Sequence, residues 1–168
     1  MAILIHWQAE ARGPENRLTI ALPGALLVVT RRGDVIVDAD WQVSTALLQQ
    51  DDSPAAKALQ RALLEPEQLL SLQLLQQGTP YSRQVWQALT AIPLAQTLTY
   101  TQLAERLGSG PRAIAMACRN NPYPGIIPCH RVVAKSGIGG FMGQSQGAWV
   151  ELKRQLLMQE RHFGQNGS

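Results

Sequence analysis

A cysteine and a histidine stand side by side in IIPCHRVV, residues 126–133, with Pro128 ahead of them and Arg131 behind. A thiol is a nucleophile only as its thiolate, and this stretch supplies a base in His130 and a positive charge in Arg131. Adjacent residues of an extended chain point to opposite sides, so a direct Cys129–His130 hydrogen bond is awkward. A bridging water, with a third group holding the imidazole in the right tautomer, would solve this, and the nearest acidic residues downstream are Glu151 and Glu160. Metal binding is the competing use of Cys and His, but two cysteines, Cys118 and Cys129, without CxxC or HxxxH spacing make a poor zinc site. Cys118, in the middle of a helical pattern among alanines, reads as a small structural hydrophobe.

The segment that carries Cys129 is stiff. NPYPGIIPCHRVV contains Pro122, Pro124 and Pro128, each of which fixes φ and removes a donor, so the segment is neither helix nor interior strand. Such a loop holds a nucleophile in place, and a misplacement of about an ångström can cost orders of magnitude in rate.

Short helices must position this loop. YSRQVWQALTAI puts Val85, Leu89 and Ile92 on one face behind a Ser82 cap, and TYTQLAERLG has Leu103 and Leu107 as its buried stripe, Thr101 as its cap and Gly108 as its stop. PRAIAMACRNNP opens with proline at its first helical position and closes before Pro122. The last two, joined by a glycine turn, make a helix-turn-helix candidate. The second of them offers Ala113, Ala115 and Ala117, which cannot read base edges. Small side chains let a helix lie close in a minor groove, or equally close against another helix inside the protein; Arg112 at the helix start favours the groove.

The first half has a different character. AILIHWQ, RLTIAL, ALLVVT and GDVIVD read as strands separated by turns at Pro23-Gly24 and Arg32-Gly33. VSTALLQQ, AAKALQRALL after Ser53-Pro54, and PEQLLSLQLLQQ with its leucines at helical spacing read as helices, the last closing at Gly78. Residues 1–78 hold six Lys/Arg against nine Asp/Glu, net −3, whereas residues 79–168 hold nine against three, net +6. A basic half suits a polyanion, although a solvated basic face without a partner would look the same. Free thiols fit a reducing compartment. With no signal-peptide pattern and no run approaching ~18 apolar residues, the expected location is the cytoplasm, on the nucleoid in a prokaryote.

Taken as an ordered set, YSRQVWQAL, TYTQLAERLG, RAIAMACRNNP, IPCHRVV, GGFMG and KRQLLMQE resemble the O6-alkylguanine-DNA alkyltransferase family over essentially the whole second half. The resemblance implies an α/β N-terminal domain, residues 1–78, with a small antiparallel sheet plus helices and a mainly structural role. It implies a mainly helical C-terminal domain, residues 79–168, that contains the helix-turn-helix, binds DNA and accepts the alkyl group. The implied activity is direct repair: O6-alkylguanine, and by extension O4-alkylthymine, is flipped out of duplex DNA bound through the minor groove, and its alkyl group passes irreversibly to Cys129.

By motif position Cys129 would be the acceptor, His130 its base through water, Glu160 the residue orienting His130, and Asn121 the hinge that ties the helix to the loop. Arg112 would enter the duplex in place of the flipped base, and Tyr100 would help rotation and protonate the departing guanine. Thr101, Ala113, Arg119 and Lys135 would touch DNA; Pro124, the Val132 backbone, Phe141, Met142 and Gly143 would wall the base pocket. No cofactor or metal is implied, and a monomer is expected. A thioether product with no second cysteine near it means a single turnover. The chain departs from the family pattern in its shorter turn, GSGPR, and in Phe141-Met142 where tyrosine and a small residue are usual. Two other readings remain: a non-catalytic binder of alkylated DNA, and a Cys/His hydrolase or thiol redox protein.

Overall fold

The computed structural model describes residues 3–22, 24–42, 51–65 and 69–166, with side chains through 162. Four strands follow one another, β1 (Ile3–Gln8), β2 (Glu15–Leu22), β3 (Ala25–Arg32) and β4 (Val35–Gln42). In β2 burial alternates, so that Leu18 and Ile20 turn inward, whereas β3, covered on both faces at its start, buries Ala25, Leu26 and Leu27 in succession and then Val29. Helix α1 (Pro54–Leu64) starts where Ser53 Oγ accepts the Ala56 amide at 3.2 Å and Pro54 occupies the first turn; it buries Ala56, Leu59 and Ala62.

The run expected as a third helix is a strand. Leu70–Leu75 forms β5, lying parallel to both β1 and β4, which gives the order β1-β5-β4-β3-β2. Leu70, Leu72 and Leu74 alternate with Ser71 and Gln73, a period of two that a helical reading of the clustered leucines overlooks. The sheet is therefore mixed and not antiparallel: β2, β3 and β4 pair antiparallel, and α1 makes the crossover that brings β5 in parallel. VSTALLQQ lies outside the described residues.

Four helices follow: α2 (Pro80–Thr90), α3 (Tyr100–Leu107), α4 (Pro111–Arg119) and α5 (Ala148–Asn166). Two caps differ from expectation. Thr79 caps α2 by accepting from the Ser82 amide at 3.1 Å, so Ser82 is inside the first turn. Thr99, not Thr101, caps α3, in a reciprocal box in which its hydroxyl accepts from the Gln102 amide and Gln102 Oε1 accepts from the Thr99 amide. In both cases the capping hydroxyl lies before the first helical residue, one turn or less from the position the pattern suggested. Gly108 closes α3 in the left-handed region at φ 63, and Ser109 in the turn to α4 shares a 2.6 Å hydrogen bond with Tyr81 of α2.

The core is continuous across the chain, running from Leu27, Val29 and Trp41 of the sheet through Val85 and Leu89 of α2 and Ile114 of α4 to Ile127 and Leu156. Tyr123 ties the halves together. Its ring has no exposed surface, and its hydroxyl accepts from Gln77 Nε2 at 2.8 Å and donates to the Leu75 carbonyl at 2.5 Å, with the Ile36 carbonyl at 3.3 Å. The Ala39 amide also donates to the Pro122 carbonyl at 3.0 Å. The loop that carries the cysteine is thus anchored on the sheet. Among the described residues, no helix is long and apolar enough to cross a membrane.

Candidate active site

The proline-rich loop acquires its shape from three sources. Prolines restrict φ; Gly125 adopts φ 88 where a Cβ would lie 3.0 Å from Leu27 and 3.1 Å from Trp41, so only glycine allows this close approach to the sheet; and Asn121 closes the loop on itself. Buried Asn121 donates from Nδ2 to the Ile127 carbonyl at 2.9 Å and accepts the Tyr123 amide on Oδ1 at 2.9 Å. It follows directly on the C-terminus of α4, so one side chain couples that helix to the segment ahead of the cysteine.

Cys129 opens a single 3-10 turn, Cys129–Arg131, and is 5 % exposed. Burial pushes its thiol up; a hydrogen bond from Asn121, the nearby ammonium of Lys153 and the backbone pull it back. The next residue turns away from it. His130 Nε2–H donates to Glu160 Oε1 at 2.7 Å, which leaves Nδ1 buried and without a hydrogen-bond partner. Glu151, the other acidic candidate, is exposed and pairs with Arg154 at 3.4 Å.

Glu160 is held by more than His130. Arg131 Nε donates to both carboxylate oxygens at 3.0 and 3.1 Å, Nη2 donates to Oε1 at 2.8 Å, and Nη1 donates to the Ile92 carbonyl at 2.7 Å. Burial alone would raise the carboxyl, but the His130 and Arg131 charges and hydrogen bonds outweigh it and hold Glu160 at about 2. Arg131 was expected only as a positive charge beside the thiol. In the fold it is the clamp on the acid that orients His130.

A second unexpected residue is Lys153. It has no exposed surface, donates from Nζ to the Gly140 carbonyl at 2.9 Å and sits 5.7 Å from the centroid of the Tyr100 ring. Burial lowers it to about 8, against the opposing pull of Cys129 and Cys118. The signal was in KRQLLMQE: Lys153 and Glu160 are seven residues apart on one helix and share the inward face with Leu156.

Cys129 forms part of the wall of an open cleft of about 520 Å³. Tyr100, Arg112, Arg119, Phe141, Met142 and Gly143 line it. Burial, then the neighbouring Cys118 and Cys129, pushes the Tyr100 phenol up to about 12. Pro124 and the Val132 backbone were expected as further walls. Pro124 is buried in the loop in a bridge with Ile127, and the Val132 backbone is paired with Leu98 in the two-residue strands β6 (Leu98–Thr99) and β7 (Val132–Val133). Cys118, by contrast, was expected to be only structural and to stand apart from Cys129; it lines the same cleft, because helix periodicity turns it half outward between buried Ala117 and exposed Arg119. Thr101, Ala113 and Lys135 are exposed and do not line the cleft.

The chain is similar to known proteins over its second half in sequence and over most of its length in structure. A family model described as 6-O-methylguanine DNA methyltransferase, DNA binding domain, matches residues 80–162. The methylated-DNA--protein-cysteine methyltransferase of Saccharolobus islandicus is 47 % identical over 78 residues, which is 46 % of this chain and 48 % of that protein. Regulatory protein ada of Salmonella typhimurium is 48 % identical over 94 residues, 55 % of this chain and 26 % of that protein. The chain thus matches about half the length, or less, of these curated relatives. The crystal structure of Mycobacterium tuberculosis OGT in complex with DNA superposes with a TM-score of 0.67 at 31 % identity, covering 86 % of this chain and 92 % of that one. Sheet and helices both enter that superposition, and the family match spans the loop, the cysteine and the acid that orients the histidine. The chain belongs to the O6-methylguanine DNA methyltransferase family.

Proposed function

We propose that this protein repairs duplex DNA by direct reversal, extruding O6-alkylguanine and moving the alkyl group onto Cys129 in a single turnover. The observation that carries the reading is a buried cysteine on a proline-fixed loop, opening on a cleft edged by Arg112 and backed by a histidine–carboxylate pair. Residues 79–168 bind DNA and accept the alkyl group, and residues 1–78 support them structurally. Helices α3 and α4 act as a helix-turn-helix whose second helix lies in the minor groove, with Thr101, Ala113, Arg119 and Lys135 along the backbone. The protein works as a monomer in the cytoplasm.

The chemistry follows from the residues. An O-alkyl ether has no activated leaving group, so attack at its carbon needs a thiolate and a proton for the base. The Cys129 proton passes through an intervening water to His130 Nδ1, the atom left free because Nε2–H is committed to Glu160. Lys153 stabilises the thiolate. The sulfur–carbon bond forms as the carbon–oxygen bond breaks, the electron pair goes to guanine, and Tyr100, whose phenol keeps its proton at neutral pH, supplies the proton that completes the free base. Flipping costs a few kcal/mol, which Arg112 offsets by filling the gap in the stack. Asn121 transmits the position of α4 to the loop. Although Cys118 is near, a thiol cannot displace a thioether, so the protein is consumed.

The test is incubation with duplex DNA carrying O6-methylguanine. One methyl group should replace the thiol hydrogen on the Cys129 peptide, with one equivalent transferred per protein. Repeated turnover, or methylation elsewhere, would overturn the mechanism.

A further inference from the structure

Helix α4 directs Ile114 and Ala117 into the core and presents Arg112, Ala113, Ala115, Met116 and Arg119 outward. On this face Met116 is out of place. It is 54 % exposed, one of three large apolar side chains more than half exposed among the described residues, and it contributes nothing to the core cluster. It also lines the cleft that holds Cys129, one helical turn after Arg112 and one turn before Arg119. A single exposed apolar residue on a protein surface is ordinary. An unbranched apolar side chain centred between two arginines at the mouth of a reactive cleft, on a helix otherwise faced with alanines, has a more specific use.

We propose that Met116 is a second wedge, the apolar partner of Arg112, and that it sets the preference of the protein for alkylated bases in duplex DNA. The inference rests on the alkyl-transfer reading given above. When α4 lies in the minor groove, the face that carries Arg112 meets the nucleotides flanking the extruded base. Arg112 supplies a charged, hydrogen-bonding plane for the vacated stack. Met116, about 6 Å along the helix, reaches the sugars and base edges beside it, where apolar side chains unstack and hold open a widened groove. Its flexible thioether chain adapts to any flanking sequence, so it favours the flipped state without reading bases. By covering the lip of the cleft it also keeps water from the thiolate while the base is inside.

The experiment compares two substrates on the intact protein: duplex DNA with a single O6-methylguanine, and free O6-benzylguanine, which reaches the cysteine without a groove or a stack. Met116→Ala should lower the second-order transfer rate on the duplex about tenfold more than on the free base, the factor expected for losing burial of the exposed part of one Met side chain. Met116→Leu should restore most of it, and the flipping signal of 2-aminopurine beside the lesion should fall in the alanine variant. An unchanged duplex rate, or an equal fall on both substrates, would overturn the wedge. Failure of the unaltered protein to transfer alkyl from either substrate would overturn the proposed function itself, a result distinguishable from both.

Discussion

Replacing Glu160 by glutamine removes one negative charge from a cluster in which that charge is shared by two buried partners. The side chains of Glu160, His130 and Arg131 are 10 %, 5 % and 14 % exposed, so solvent screens them little. Two routes give the size of the effect. The Glu160 carboxyl falls from its ordinary 4.5 to about 2, a shift worth about 3 kcal/mol. Removing one member of a buried ion pair, which strands the other, costs about 3–5 kcal/mol. A loss of about 3 kcal/mol corresponds to roughly 6–12 °C in Tm for a chain of this size, read by circular dichroism at pH 7.

The sign of the pH dependence is equally defined. Because the folded value lies below the unfolded one, the stabilisation is complete above 4.5 and is lost as pH falls through about 2. The difference in Tm between the protein and Glu160→Gln should therefore shrink across that window. Glutamine also leaves His130 without its anion, so alkyl transfer should slow by about a hundredfold, the low end of what a general base supplies. The double variant Glu160→Gln/Arg131→Leu separates the two roles: it should regain stability by removing the stranded guanidinium, and remain slow. A single variant that melts and reacts like the unaltered protein would refute the account of the cluster.

Lys153→Met removes the ammonium beside both thiols, so the Cys129 thiol should ionise at higher pH and the pH profile of its iodoacetamide reaction should move to the alkaline side; because burial disfavours the charged lysine, no loss of thermal stability should accompany this. Tyr123→Phe deletes the hydroxyl that links Gln77 and the Leu75 carbonyl, and should cost about 1–3 kcal/mol in urea unfolding while leaving Cys129 in place. Arg112→Ala should reduce the 2-aminopurine flipping signal more than it weakens duplex affinity, with affinity measured by fluorescence anisotropy at fixed salt.

What could be read from the chain was whatever depends on neighbours in sequence. The strands β1 to β4, the proline starts of α1 and α4, the glycine stop of α3 and the stiffness of the cysteine loop are all local consequences of φ restriction and side-chain alternation. Cys129 and His130 were visible for the same reason. Where two local patterns competed, the reading went astray: the leucines of β5 are close enough together to suggest a helix, and only pairing on both sides by β1 and β4 makes their alternation decisive.

The tertiary structure decided everything that joins distant residues. It chose Glu160 over Glu151, because only the former lies on the inward face of α5; it turned Arg131 from a charge beside the thiol into the clamp on that acid; and it placed Lys153 next to Tyr100 and the thiols. It also brought Cys118 and Met116 to the cleft. The physical reason is the same throughout. A residue type and its immediate neighbours determine which chemistry is available, whereas burial, counter-charge and hydrogen-bond partners are supplied by elements tens of residues away and exist only once the sheet, the loop and the last helix have packed together.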